Sequence, residues 1–147
     1  MADVSDNLRT LAEYSGKMMA GDYDAVYEYW SDDFQSHVTE RVNPAAVGTD
    51  VRGEERRFWE EGRRAFEDFK FSVDLLVESG DIIVSNWTIT GKHTLASYYG
   101  VPPSGKPVNI NGTGILRMKD GKVVEHWGGP HCPDGIGLAG VCLTNAE

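Results

Sequence analysis

Four histidines and two cysteines are the residues of this chain best suited to metal or nucleophilic chemistry. Imidazole and thiolate are zinc's usual ligands, which makes His126, His131, Cys132 and Cys142 the set to weigh first. Their spacing matches none of the familiar paired patterns, and the adjacent His131 and Cys132 are awkward chelators of one ion, so no metal site is predicted. A nucleophilic Cys132 needs a lowered thiol pKa, for which His131 and His126 are the only obvious cations nearby. The glycines of the tail do not join a strand to a helix, so the chain has no phosphate-binding loop or dinucleotide fingerprint. Proton transfer and hydrogen bonding remain. With an ordinary pKa of about 6.5, His126 suits general acid, general base or donor work; a structural imidazole satisfied by a carbonyl is the equal alternative. The Asn86 amide could polarise a carbonyl oxygen or bond to a nearby loop. His93 is read as a builder of its strand end.

The elements that must position these groups follow from periodicity. From Ser5 to Ala20, Leu8, Leu11, Ala12, Met18 and Met19 recur at helical spacing, with Ser5 as N-cap and Gly21 as stop. DYDAVYEYW forms a second, short helix, which SDDFQSH ends, with Phe34 packing beneath that turn. Residues 38–51 read as a covering loop. A third helix runs from about Gly53 to Phe66, turning Phe58, Trp59, Gly62 and Phe66 inward; Glu54, Glu55, Arg56, Glu60, Glu61, Arg63 and Arg64 form its solvated face. After Asp68 the period becomes two. FKFSVDLLVES, DIIVSNWTITGKH, VNINGTGILRMK and KVVEHWGG read as four strands of an antiparallel meander, with ASYYGVPPSGKP as a long connection or flap.

Helices followed by strands indicate an α+β fold, a curved antiparallel sheet wrapped around N-terminal helices with a deep apolar pocket between them. Tyr14, Trp30, Phe34, Trp59 and Phe66 would line that pocket, although each alone could simply fill the core. A chain of 147 residues predicts one domain over 1–147, mainly helical over 1–69 and mainly strands over 70–129, with a glycine-rich tail over 130–147. With 14 Lys and Arg against 23 Asp and Glu, the net charge of −9 repels phosphate backbones and anionic lipids, so neither nucleic acid nor membrane is an expected partner. No apolar run approaches the ~20 residues that span a bilayer, and the N-terminus lacks a secretory pattern; a cytoplasmic protein with reduced cysteines is expected.

The ordered stretches GDYDAVYEYWSDDFQSH, RGEERRFWEEGRRAFEDFKF, NWTITGKHT, YYGVPPSGKPV and GILRMKDGKVVEHW, from about Gly21 to Trp127, resemble the SnoaL-like polyketide cyclases of the nuclear transport factor 2-like superfamily. The resemblance implies a cone-shaped α+β barrel, a homodimer with one hydrophobic pocket per protomer, and cofactor-free chemistry on a hydrophobic polyketide-like substrate. It places His126 at the family's last-strand histidine and His37 near the pocket rim. By alternation His126 shares the pocket face with Gly128, and Glu125 faces the other side.

The departures from the pattern shape the functional reading. Gly128 stands where the aldol cyclases carry their catalytic aspartate, and Asn86 where many relatives carry an arginine able to pair with it. Gly112 and Gly114 replace two polar positions, which lets a bulky ligand lie close to the backbone. The chain is therefore expected to be a cofactor-independent cyclase or isomerase in which pocket shape enforces a pericyclic-type closure and His126 and Asn86 supply hydrogen bonds. Two rivals stay open: a hydrolase or hydratase whose water is activated by Glu78 or Asp134, and a non-catalytic small-molecule binding protein.

Overall fold

The computed structural model describes residues 3–37 and 50–130. Helix α1 (Asp6–Met19) begins where the Ser5 hydroxyl accepts the Leu8 N–H at 3.1 Å, and Gly21 follows its end at φ 91°. Helix α2 (Ala25–Tyr29) leads directly into β1 (Trp30–Ser36). Helix α3 (Val51–Ala65) starts two residues before the predicted Gly53, capped by the Asp50 carboxylate, which accepts the Gly53 N–H at 3.0 Å. Strand β2 (Phe66–Ser79) continues from α3 without a loop, and β3 (Ile82–His93), β4 (Pro107–Lys119) and β5 (Lys122–Pro130) complete the sheet.

The sheet is curved and open, in the order β1-β5-β4-β3-β2, with the helices on one face. The α+β class and the antiparallel meander of β2 to β5 are as predicted. Strand β1 was not predicted; it pairs in parallel with β5. Of its residues Trp30 and Phe34 are buried while Asp32 between them is exposed, and the register with β5 shifts between Trp30 and Gln35, so the alternation that marks a strand is missing. Between β3 and β4 runs the long connection, one of the two readings of this stretch, rather than a flap. Instead of gating the cavity described below, Tyr98 and Tyr99 pack with Phe66, Trp87 and Ile110 in a second core cluster.

Alternation along β3 and β4 decides what faces the helices. Ile83, Ser85, Trp87 and Ile89 pair with Leu116, Gly114, Gly112 and Ile110, and cross-strand partners share a face. A Cβ at Gly112 would lie 2.2 Å from the Trp87 ring, so the indole occupies the volume a side chain would need. Gly112→Ala is therefore expected to displace Trp87 and cost about 1–3 kcal/mol, as overpacking does. Urea unfolding monitored by tryptophan fluorescence checks this: a lowered midpoint is expected, and an unchanged one would contradict the contact.

Candidate functional site

Between the helices and the inner face of the sheet lies a cavity of about 330 Å³. Leu8 and Leu11 of α1, Phe58 and Trp59 of α3, Phe71 and Leu76 of β2, and Trp87 of β3 form its apolar walls. The rings are in mutual contact: Trp59 and Phe71 lie 4.6 Å apart between centroids, Phe58 and Trp87 5.7 Å, and Trp30 and Phe34 4.5 Å. Aromatic walls of this kind are fixed by packing and hold their shape without a ligand.

Of the titratable groups on this surface, Glu55, Tyr14 and His126 are shifted by the cavity itself. Glu55 sits on α3, and its Oε1 accepts both the Tyr14 hydroxyl at 3.1 Å and the Trp59 indole N–H at 3.2 Å. Burial pushes its carboxyl up to about 7, while the two donors pull in the opposite direction. Tyr14, itself buried, is raised well above the ordinary phenol range, first by burial and then by the Glu55 charge, so it stays a donor. On β5, His126 lines the cavity wall with its ring 5.6 Å from that of Trp30. Burial lowers its pKa to about 4, with His37 contributing, which leaves a neutral imidazole near pH 7. A carboxyl poised near neutrality and an imidazole held neutral can move a proton and hold a hydrogen bond in one water-poor space.

Sequence reasoning had assigned Glu55 to the solvated face of its helix, which is corrected here. The signal was present: Val51, Glu55, Phe58, Trp59 and Gly62 follow the spacing of one helical face, with the carboxylate set inside the apolar stripe. Starting the helix at Gly53 left out Val51, but Glu55, Phe58, Trp59 and Gly62 already carried the pattern.

Of the residues selected from sequence, Tyr14, Trp30, Phe34, Trp59, Gly114 and His126 come together on the cavity. Asn86 does not. Its neighbours Ser85 and Trp87 face inward, so alternation turns its amide to the outer face, where it donates to the Gly112 carbonyl at 3.0 Å and pairs with the Asn111 amide. His37 also lies outside. It stacks on Trp127 at 4.9 Å and approaches Glu125 at 3.3 Å, because Ser36 before it takes the inward position on β1. Glu125 faces away from His126, as alternation requires, and lies 3.8 Å from Arg117. Phe66 is core: it packs against His93 and Tyr98 rather than the cavity. His93 is fully buried at the strand end, its Nε2 2.8 Å from the Ala96 carbonyl oxygen.

The glycines open less room than expected. The volume over Gly112 belongs to Trp87, and a Cβ at Gly114 would come within 3.3 Å of both His126 Nε2 and Ser85 Oγ. Gly128 has φ 106°, and a Cβ there would meet the Thr113 carbonyl oxygen at 2.0 Å. The backbone at Gly128 thus has no place for a side chain, aspartate included. Glu78 accepts the Ser5 hydroxyl at 2.8 Å and stands outside the cavity lining. His131, Cys132, Asp134, Cys142 and the rest of the glycine-rich tail, like the loop over 38–49, lie outside the described residues. Among the described residues no group of three His, Cys, Asp or Glu side chains could hold a metal ion, and no helix is long and apolar enough to cross a membrane.

Helices over one face of a curved, open sheet define an α+β cone fold of the nuclear transport factor 2-like kind. A sequence profile of SnoaL-like polyketide cyclases matches residues 9–139, and the chain belongs to that family. Among solved structures it is similar to TsrD from Streptomyces laurentii, at 20% identity and a TM-score of 0.70, over 88% of this chain and 91% of the other. It is also similar to IdmH from Streptomyces antibioticus, a candidate polyketide cyclase, at 25% identity and a TM-score of 0.69, over 94% and 96%. A third, AclR from Streptomyces galilaeus, a candidate hydroxylase, is 23% identical with a TM-score of 0.69, over 88% and 91%. No curated protein matches the chain.

The Glu55 environment has a consequence for stability. The folded state holds the proton more tightly than the unfolded chain does, so the stability tied to that proton is fully present below about pH 4.5 and is lost as pH rises through about 7. Glu55→Gln keeps an oxygen acceptor for Tyr14 and Trp59 and does not titrate. It should be more stable than the parent protein at about pH 8, by up to roughly 3 kcal/mol, with the gap closing at low pH. Urea titrations at the two pH values check this, and a gap that does not depend on pH would contradict it.

Proposed function

We propose that this chain is a cofactor-independent cyclase or isomerase acting on a hydrophobic, polyketide-like biosynthetic intermediate held in the cavity. One observation carries the reading: an aromatic-walled space of about 330 Å³ into which a neutral imidazole, His126, projects. Such walls fold a flexible chain toward its reactive shape and remove part of the entropic barrier to ring closure or rearrangement. A neutral imidazole can hydrogen-bond a carbonyl oxygen that gains charge, without a full charge being desolvated. Asn86 has no part in this scheme.

A hydrolase driven by Glu78 loses its support, since that carboxylate caps α1 through Ser5 rather than facing the cavity. The homodimer that the family resemblance implies is part of the proposal. Leu75 and Val77 of edge strand β2 are 60% and 49% exposed, an apolar surface that a second copy would cover.

The test is to delete the gene in its native host and compare metabolites by mass spectrometry. An accumulating isomer of equal mass that the purified protein converts is the expected result. A difference of one water between substrate and product, or a ligand bound and left unchanged, would contradict it.

A further inference from the structure

We infer that Glu55 is the proton shuttle of this cavity, removing a proton from carbon next to a substrate carbonyl and returning it elsewhere on the same molecule. This rests on the cyclase or isomerase reading and deepens it, by making the substrate an enolisable hydrophobic ketone and the chemistry stepwise rather than purely pericyclic.

The geometry argues for it. Glu55 lines the cavity and both of its donors, the Tyr14 hydroxyl and the Trp59 indole N–H, bind Oε1. Neither donor is bound to Oε2, which is left for the substrate. Fixing one oxygen from two different helices holds the carboxyl in a single orientation, which is what a positioned base requires. The Trp30 indole contacts Tyr14, at 5.8 Å between centroids, and His126, at 5.6 Å, so the carboxyl's support and the imidazole border the same aromatic surface. The titratable groups sharing the cavity are Tyr14 from α1, Glu54 from α3 itself and His126 from β5. Strands β1 to β4 bring only uncharged side chains to it among the described residues, Trp30, Phe71, Ser85 and Leu116 among them. No described cation lines the cavity to hold the carboxylate ionised at low pH, in keeping with a pKa pushed up to about 7.

The step balances within the protein and one ligand. The carboxylate oxygen forms an O–H bond as the C–H bond breaks, and the electron pair moves onto the carbonyl oxygen, which accepts a hydrogen bond from the neutral His126 ring. The resulting carboxylic acid then gives its proton to another carbon of the conjugated system, and the carbonyl re-forms. Substrate and product have equal mass, and no oxidant or co-reactant is needed.

The test uses the full-length protein and 2-tetralone, a bicyclic ketone, in deuterated buffer. Loss of the protons next to the carbonyl is followed by proton NMR, and binding is followed by quenching of tryptophan fluorescence. The expected result is exchange above the buffer rate that rises with pH through about 7, falls by about 100-fold or more in Glu55→Gln, and leaves quenching unchanged. Binding without accelerated exchange, or exchange that Glu55→Gln retains, overturns the shuttle and leaves the apolar-ligand reading intact. Exchange lost in His126→Ala but kept in Glu55→Gln overturns it in favour of the histidine. Absence of quenching overturns the ketone substrate class, and with it both readings.

Discussion

A carboxyl group half-buried among aromatic rings must either find donors or give up its charge, and Glu55 does some of each. Tyr14 reaches it from α1 and Trp59 from its own helix, so one oxygen atom ties the two helices that roof the cavity. Among the described residues, the same rings that make the space apolar supply the polar anchors at that point. Cavity shape and carboxyl state are therefore coupled. A change that moved α1 away from α3 would expose Glu55 to water and restore an ordinary acid.

The sheet supplies the opposite wall, on β3 and β4 by regular alternation. Trp87 faces inward because Ile83, Ser85 and Ile89 do, and Gly112 lies opposite it on β4 because no side chain fits beside the indole. His126 reaches the cavity through the same rule on β5, where its partner Leu116 also lines the wall. At Gly128 the strand leaves the geometry that a side chain needs, so the carboxylate that the family resemblance leads one to look for cannot be restored there by substitution alone. A carboxyl carried by a helix then shares one cavity lining with an imidazole carried by a strand, and both are shifted toward their neutral forms. For an apolar substrate that arrangement leaves little charge to desolvate before the reaction begins.

Much of this was legible in the residues. The periods of α1 and of β2 to β5 were strong enough to give the α+β class, while the inward position of His126 came from the family resemblance, with alternation only sorting the two faces of its strand. Three features were missed. Strand β1 exposes Asp32 between its buried Trp30 and Phe34, and an apolar pair four apart fits a helix as well as a strand. Asn86 was chosen because the resemblance puts a pocket arginine at its position, yet its neighbours Ser85 and Trp87 belong to the inner face, and parity sends the amide outward. Glu55 stands among charged residues in sequence and was grouped with them by type, although its spacing to Phe58, Trp59 and Gly62 puts it within the apolar stripe. The glycines misled in the opposite sense: absent side chains suggested room for a ligand, whereas Trp87, His126 and Ser85 occupy much of it.

The central claim is that the cavity holds a carboxyl near its point of neutrality. Carbon-13 NMR of the protein labelled at glutamate side-chain carboxyls, with the Glu55 resonance assigned by its loss in Glu55→Gln, measures this directly. The account expects that resonance to titrate with a midpoint near 7. A midpoint near the ordinary glutamate value of about 4.3 would show a solvated carboxylate and contradict it.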